Sequence, residues 1–286
     1  MAQAYLDAGV AGTPVWWAPE RTWTVEDQQV DLERLVAHMD AGGVDRAIVF
    51  GFAARPYECR ADDAAIFDAV ERHPERFIPF HAVDPFGGAP ARRLLERRVR
   101  DDGFRGLKLA PAYNHMGLAD PRLYPIYAKA EELGVPVIVH TGSTRLPGAL
   151  LRWQDPRELD EVGAAFPGLR LWMAHCGMHR WLDALAVLAR HRAMAADLSF
   201  WGRLPVHMVA EAMVYAKHIG VLDRLMWGTD YPFWGQAADI ARWRKVPADQ
   251  ARLGLEPALD EADLAGLLGA NAARQLDGGE AWPSSS

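Results

Sequence analysis

Short apolar runs recur along this chain, and the segments between them carry apolar residues at helical spacing. The clearest run is Val135-Pro136-Val137-Ile138-Val139, in which β-branched residues hold four of five positions. A run apolar on both faces predicts a strand buried in a parallel sheet. It breaks abruptly into His140-Thr141-Gly142. Further strands are predicted over 44–52, 77–83, 106–109, 169–175, 194–200 and 222–228, with a weaker first one over 5–10. Thr24, with Glu26 and Asp27 behind it, predicts a capped helix that carries Leu32, Leu35, Val36 and Met39 on one face and stops at Gly42-Gly43. Helices are also predicted over 62–72, 90–100, 181–190, 206–219, 236–243, 260–268 and 271–276. Asp120-Pro121 and Asp155-Pro156 each predict a helix start, the first helix running to Leu133. The tail over 277–286 is expected to fray.

Alternating strands and helices imply an α/β fold with a parallel sheet. Eight such units in 286 residues fit a single (β/α)8 TIM barrel over the whole chain better than an open doubly wound sheet. No composition shift marks a boundary, and no Gly-x-Gly-x-x-Gly or Walker pattern follows a strand. Half of the residues are hydrophobic and the formal net charge is −7. That balance argues against a nucleic-acid partner. The run Arg92, Arg93, Arg97, Arg98, Arg100 has Glu96, Asp101 and Asp102 among it and reads as a solvated helix face. No apolar run is long enough to span a bilayer, and no basic leader opens the chain. The two cysteines, Cys59 and Cys176, make no disulfide framework, so a reducing cytoplasm is the expectation. Most of the 11 tryptophans are expected to pack, although Trp16, Trp17, Trp23, Trp227 and Trp234 are placed to line an aromatic pocket.

Barrel enzymes draw their chemistry from the carboxyl ends of several strands. Here those ends offer Lys108, His140, His175, Asp197 with Ser199, and Asp230. A lone histidine at a strand end is usually an ordinary loop residue. Two histidines and an aspartate at three strand ends favour one shared site. Neutral imidazole and carboxylate are also the ligand types of catalytic zinc and related divalent ions. His38, His73, His191, His207 and His218 fall on helices or their ends and are expected to be structural. Cys176 has no obvious separate base and is expected to pack.

These stretches resemble the amidohydrolase superfamily, in its amidohydrolase-related branch that includes aminocarboxymuconate-semialdehyde decarboxylase. The resemblance rests on Gly106-Leu107-Lys108-Leu109, Val137-Ile138-Val139-His140-Thr141-Gly142, Ala174-His175-Cys176-Gly177, Trp227-Gly228-Thr229-Asp230-Tyr231-Pro232 and Gly269-Ala270-Asn271-Ala272-Ala273-Arg274. It implies a barrel of the metal-dependent hydrolase type with a divalent metal, zinc or else manganese. It also implies His140 and Asp230 as metal ligands, with His175 beside them as a third candidate ligand. His175 would be an acid/base partner, and Asp230 would accept a proton from a metal-bound water. One departure stands out. The family opens on Asp-x-His-x-His, whereas this chain has Asp7-Ala8-Gly9-Val10-Ala11, so Gly9 and Ala11 replace two expected ligands. His115, Glu20 or Lys108 are the substitutes within reach of the pattern.

Three readings follow. The first is a hydrolase or decarboxylase with a degenerate metal site, acting on a small carboxylated or cyclic substrate. Arg55, Arg145, Trp17, Tyr113 and Trp234 are its substrate-binding candidates, with Arg203 as a further cation. The second is a metal-independent, lactonase-like hydrolase with Asp230 as base. The third is a non-catalytic pseudoenzyme that binds a ligand or partner. Members of the family are often dimers, which makes a homodimer an expectation here. The loops over 12–23, 111–120 and 141–153 are expected to set specificity.

Overall fold

A parallel strand that is apolar on both faces needs a packed layer on each side, and the sequence supplies both. The computed structural model describes residues 14–15, 18–22, 24, 30–59, 63–144, 146, 148–233 and 235–277, with backbone alone for 14, 15 and 18–21. Strands β1 (Pro14–Val15) and β2 (Ala18–Thr22) form an antiparallel pair. Helix α1 (Leu32–Gly42) then leads into a seven-stranded parallel sheet whose strands neighbour one another in chain order. These are β3 (Ala47–Phe50), β4 (Phe77–Ala82), β5 (Gly106–Leu109), β6 (Val137–His140), β7 (Leu171–Ala174), β8 (Ala195–Asp197) and β9 (Leu225–Met226). Between them run α2 (Ala64–Arg72), α3 (Gly88–Arg100), α4 (Tyr124–Leu133), α5 (Glu158–Ala165), α6 (Trp181–Arg190) and α7 (Val206–His218). After β9 come α8 (Gln236–Trp243), α9 (Val246–Leu253), α10 (Glu261–Ala265) and α11 (Asn271–Leu276).

Strand alternation sorts the side chains into two cores. Leu107, Leu109, Val137, Val139, Leu171, Met173 and Ala196 point outward into one continuous core with the helices. Ile78, Phe80, Ile138, Trp172, Ala195 and Met226 point inward and pack on one another, with Ile48 and Phe50 beside them. Ala272 and Leu276 of α11 close on that inner cluster. The sheet is curled: α1, which precedes β3, packs on α8, which follows β9. The two helices meet so closely that a Cβ on Gly42 would stand 2.9 Å from Gln236 Cβ. Seven sequential parallel strands, an inner core and an outer helical layer are the barrel architecture expected. The expected first strand over 5–10 lies outside the described residues, as does the tail beyond Asp277. Among the described residues no helix is long and apolar enough to cross a membrane.

Several boundaries differ from the pattern, each for a local reason. The described helix α1 is capped by Asp31, whose carboxylate accepts from Arg34 N at 2.7 Å, while residues 25–29, which follow the expected cap Thr24, lie outside the described residues. Asp120-Pro121-Arg122 and Asp155-Pro156-Arg157 both form turns instead of first helical turns. In each, the Asp carboxylate accepts from the backbone N of the Arg two residues on, at 3.0 and 3.1 Å, and from its guanidinium. That local bonding competes with helix formation, so α4 starts at Tyr124 and α5 at Glu158. The segment expected as one helix over 260–268 is α10, held by an Asp260–Asp263 capping box, followed by a π-turn at Gly266–Ala270. Helix α9 was not foreseen.

Gly106 begins β5 directly beneath the Phe80 ring, and a Cβ there would lie 2.3 Å from a ring carbon. Gly106→Ala is therefore expected to destabilise the fold by about 1–3 kcal/mol through overpacking. Urea denaturation would read this as a lower midpoint, with partial recovery when Phe80→Leu is added. An unchanged midpoint would mean that the inner core has slack at this layer.

Candidate active site

The inward row that begins with apolar residues ends in polar ones. On β5, β6 and β8 the last inward positions are Lys108, His140 and Asp197. Register places His140 beside Ala174, while Lys108 pairs with Ile138, one inward layer deeper. His175 follows β7 and Asp230 follows β9, so all five groups converge on one end of the sheet. His140 and His175 meet edge to face with ring centroids 5.0 Å apart, and Tyr113 lies 4.8 Å from His140 on another side.

His175 is held by a dense set of bonds. Its backbone N–H donates to Asp197 Oδ1 at 3.1 Å, and its carbonyl accepts from Trp201 Nε1 at 2.8 Å. Thr141 Oγ1 donates to Ala174 O and accepts from Gly177 N, clamping the turn on either side. These bonds maintain an unusual backbone in which His175, Cys176, Gly177 and Met178 all have positive φ, from 43° to 67°. Non-glycine residues adopt that region at a cost and persist there when the surroundings over-determine it. The ring is fixed as well. Ser199 Oγ donates to Asp197 Oδ1 and sits 2.7 Å from His175 Nδ1. The Ser199 hydroxyl hydrogen is thus committed to the carboxylate, and the Ser199 carbonyl, 3.4 Å from the same nitrogen, can only accept. Nδ1 must therefore carry the proton, which leaves the lone pair of the neutral ring on Nε2.

His140 is oriented differently. Gln154 Nε2 donates to the carbonyls of Ala149 and Leu150, so its Oε1 faces His140 Nε2 at 3.3 Å. Nε2 is then the protonated nitrogen. Burial, with His175 and Lys108 nearby, pushes the His140 pKa well below its ordinary value, and the ring is neutral. Burial also lowers Lys108, against the pull of Asp197 and Asp230. Asp230, at φ 54°, is raised by burial against the opposing charges of His175 and Lys108, with Asp197 adding to the rise. The site thus sets a neutral imidazole near a carboxyl whose pKa burial raises above the ordinary carboxylate value. Cys176 is buried and its thiol is pushed far up by burial, so it packs as expected and is no nucleophile.

Other candidates fall elsewhere. Arg55 is exposed and pairs with Asp84 at 2.6 Å, a surface ion pair above the Phe86 ring. His115 is exposed and stacks on Trp153. Arg203 lies over Phe200, whose ring is 5.9 Å from His175. Trp227 donates to Asp239 and packs against the outer core. Trp17, Arg145 and Trp234 lie outside the described residues, as do Asp7, Gly9, Ala11 and the side chain of Glu20. Thr141, part of the motif that ends β6, and Gln154 and Trp201, which carry no signal in the chain, hold the two histidines, and these roles arise only when the loops fold together. A wide surface depression lined by Arg157, Arg180 and Trp181 is a poor binding candidate. Of its three guanidinium groups, those of Arg157 and Arg180 are already paired with Asp155 and Asp183, and that of Arg152 lies over the Trp153 ring.

The donors do not amount to a metal site on their own. Among the described residues no group of three or more His, Cys, Asp and Glu side chains comes together to hold an ion. His140 Nε2 faces Gln154 and His175 Nδ1 faces Ser199. A catalytic zinc takes three protein ligands and a water.

Comparison with known proteins places the chain in context. Residues 7–277 match the model of the family described as Amidohydrolase. The 2-amino-3-carboxymuconate-6-semialdehyde decarboxylase of Dictyostelium discoideum is 26% identical over 220 residues, covering 65% of this chain. The match spans 60% of that enzyme's length. An uncharacterised TIM-barrel protein from Bordetella bronchiseptica superposes with a TM-score of 0.71 at 21% identity, covering 96% of this chain and 89% of its own. A 5-carboxyvanillate decarboxylase from Novosphingobium aromaticivorans, solved with bound manganese and a nitrobenzoic acid, superposes with a TM-score of 0.63 at 19% identity. That match covers 88% of this chain and 82% of the decarboxylase. These likenesses show the TIM-barrel fold.

The raised Asp230 has a consequence for stability. In the unfolded chain this carboxyl ionises near 3.8, and in the folded chain only at higher pH. Its ionisation therefore opposes folding at neutral pH, and the penalty fades as pH falls toward the unfolded value. Asp230→Asn is expected to raise the Tm at neutral pH, with the gain shrinking in melts taken toward about pH 4. A lower Tm at neutral pH would mean that partners hold the ionised carboxylate instead.

Proposed function

The chain belongs to the amidohydrolase family, and from that premise we propose that it is a decarboxylase of a small, carboxylated aromatic or enolic substrate. The observation that carries this reading is the pairing of Asp230, a carboxyl inclined to keep its proton, with His175, whose Nε2 is left free to accept one. Decarboxylation needs a proton delivered to the carbon that loses CO2. A hydroxyl beside that carbon must also give up its proton and later regain it. The decarboxylases among the proteins compared support the same class.

In this scheme His175 Nε2 takes the proton of the substrate hydroxyl, and the resulting charge is shared through Ser199 with Asp197. Asp230 delivers its proton to the carboxylated carbon, which becomes tetrahedral. The bond to the carboxylate then breaks, its electron pair restores the conjugated ring, and CO2 leaves. His175 returns its proton to the oxygen, and Asp230 is recharged from water. Neutral His140 donates no charge and shapes the wall beside Tyr113. The family resemblance also implies a divalent ion, zinc or manganese, with His140, His175 and Asp230 as ligands. The described donors do not supply that set, so no step is assigned to an ion.

The lactonase-like alternative uses the same residues in the opposite protonation state, with Asp230 as base toward water. The two separate by product. The purified chain is expected to release labelled CO2 from a panel of hydroxybenzoates labelled at the carboxyl carbon. Asp230→Asn and His175→Ala should each lower kcat/KM by about 10²-fold or more. The kcat profile of the wild type is expected to fall as pH rises through the Asp230 pKa, because its acid form is the active one. Hydrolysis of a lactone panel without CO2 release, with activity rising through that pKa, would replace this reading with the alternative.

A further inference from the structure

The loop after β6 brings its far end back to the strand it left. Gln154 is 1% exposed, and its backbone carbonyl accepts from Gly142 N at 3.3 Å. Its side-chain Nε2 donates to the carbonyls of Ala149, at 3.0 Å, and Leu150, at 3.4 Å. Those bonds fix which way round the amide sits, and they aim Oε1 at His140 Nε2, 3.3 Å away. An amide oxygen offers only lone pairs. His140 Nε2 therefore carries its hydrogen in either charge state of the ring and has no lone pair for a cation. The loop is pinned from outside as well. Leu146 and Ala149 pack with Tyr113 in a small core of their own, and Trp153 stacks on His115. The amide cannot swing aside without leaving buried polar groups unpaired, which is costly.

The lone pairs that remain make a poor cage. On His140 the free one belongs to Nδ1, the nitrogen nearer the backbone. His175 offers Nε2 alone, because its Nδ1 is committed to Ser199. Asp197 Oδ1 already accepts from His175 N, Ser199 N and Ser199 Oγ. Among the described residues no three His, Cys, Asp or Glu side chains come together, whereas a catalytic zinc takes three protein ligands. The sequence reading that sets Gly9 and Ala11 at two expected histidine positions supports the same conclusion. We propose that Gln154 takes the place of a metal ion on His140, and that this chain keeps no resident divalent ion at its barrel mouth. The bond between Nε2–H and Oε1 sets the ring as a coordinated ion otherwise would. Gln154 is thus a positioning residue, acting through His140. The inference goes beyond the reading of the reaction and holds whichever bond the enzyme breaks.

The test follows the ring nitrogens of His140 by nitrogen-15 NMR, in protein stripped with EDTA and then titrated with zinc. The pH is held at about 7.5, above the ordinary imidazole value. His140, assigned by its loss in His140→Gln, is expected to show the Nε2-protonated pattern and to keep it in excess zinc. Protein purified without chelator should carry well under one equivalent of zinc or manganese, and EDTA should leave its Tm unchanged. Gln154→Ala is expected to abolish the Nε2 preference. Gln154→Met, should the alanine variant fail to fold, is expected to do the same. A wild-type ring protonated on Nδ1, a His140 nitrogen that shifts with zinc, a full equivalent of co-purified metal, or a pattern indifferent to loss of the Gln154 amide would overturn the assignment. Failure to release CO2 would bear on the reaction alone, because no substrate enters this measurement.

Discussion

A single carboxylate oxygen, Asp197 Oδ1, holds this site in shape. It accepts from the backbone N–H of His175, the backbone N–H of Ser199 and the Ser199 hydroxyl. Those bonds join the loop after β7 to the loop after β8. They fix both the strained backbone of His175 and, through Ser199, the face of its ring. Trp201 and Thr141 reinforce the same turn from other directions. Hydrogen bonds to an ionised acceptor are the stronger kind, and three on one oxygen offset a run of left-handed residues that would otherwise relax.

The same inward row explains why the site is electrostatically unsettled. The strands begin with Ile78, Phe80, Ile138 and Trp172 and end with Lys108, His140 and Asp197, so polar groups are drawn into a space built for apolar ones. Burial suppresses charge on His140 and Lys108 and on Asp230 alike. Stability is given up locally, and the curled sheet with its outer helical core supplies it elsewhere. The Asp63, His81 and Arg98 network between β4 and its helices shows the contrast. Its buried groups are fully paired, at 2.7 to 2.9 Å, as befits a structural role.

Much of this was legible in the sequence. Apolar runs on both faces marked the strands, because burial on two sides leaves no polar register to confuse with a helix. The abrupt change at His140, His175 and Asp230 marked the mouth, because strand ends are where polar side chains re-enter. The helix starts were less legible. At Asp120 and Asp155 the proline pointed to a first helical turn, but the Asp carboxylate found its own Arg first. The substrate cations were least legible. Arg55 is spent on Asp84, a loop contact that no spacing reveals. Gln154, fourteen residues after His140 and bonded to it, could be found only once its loop had folded back over the strand.

The relay from Asp197 through Ser199 to His175 can be observed without a substrate. Nitrogen-15 NMR of labelled histidine, at about pH 8.5 where an ordinary imidazole is neutral, distinguishes a ring protonated on Nδ1 from one protonated on Nε2. His175, assigned by its loss in His175→Gln, is expected to show the Nδ1-protonated pattern, and Ser199→Ala to abolish that preference while Ser199→Thr keeps it. A His175 ring protonated on Nε2 in the wild-type protein, or one indifferent to Ser199→Ala, would contradict the arrangement on which the proposed proton transfer depends.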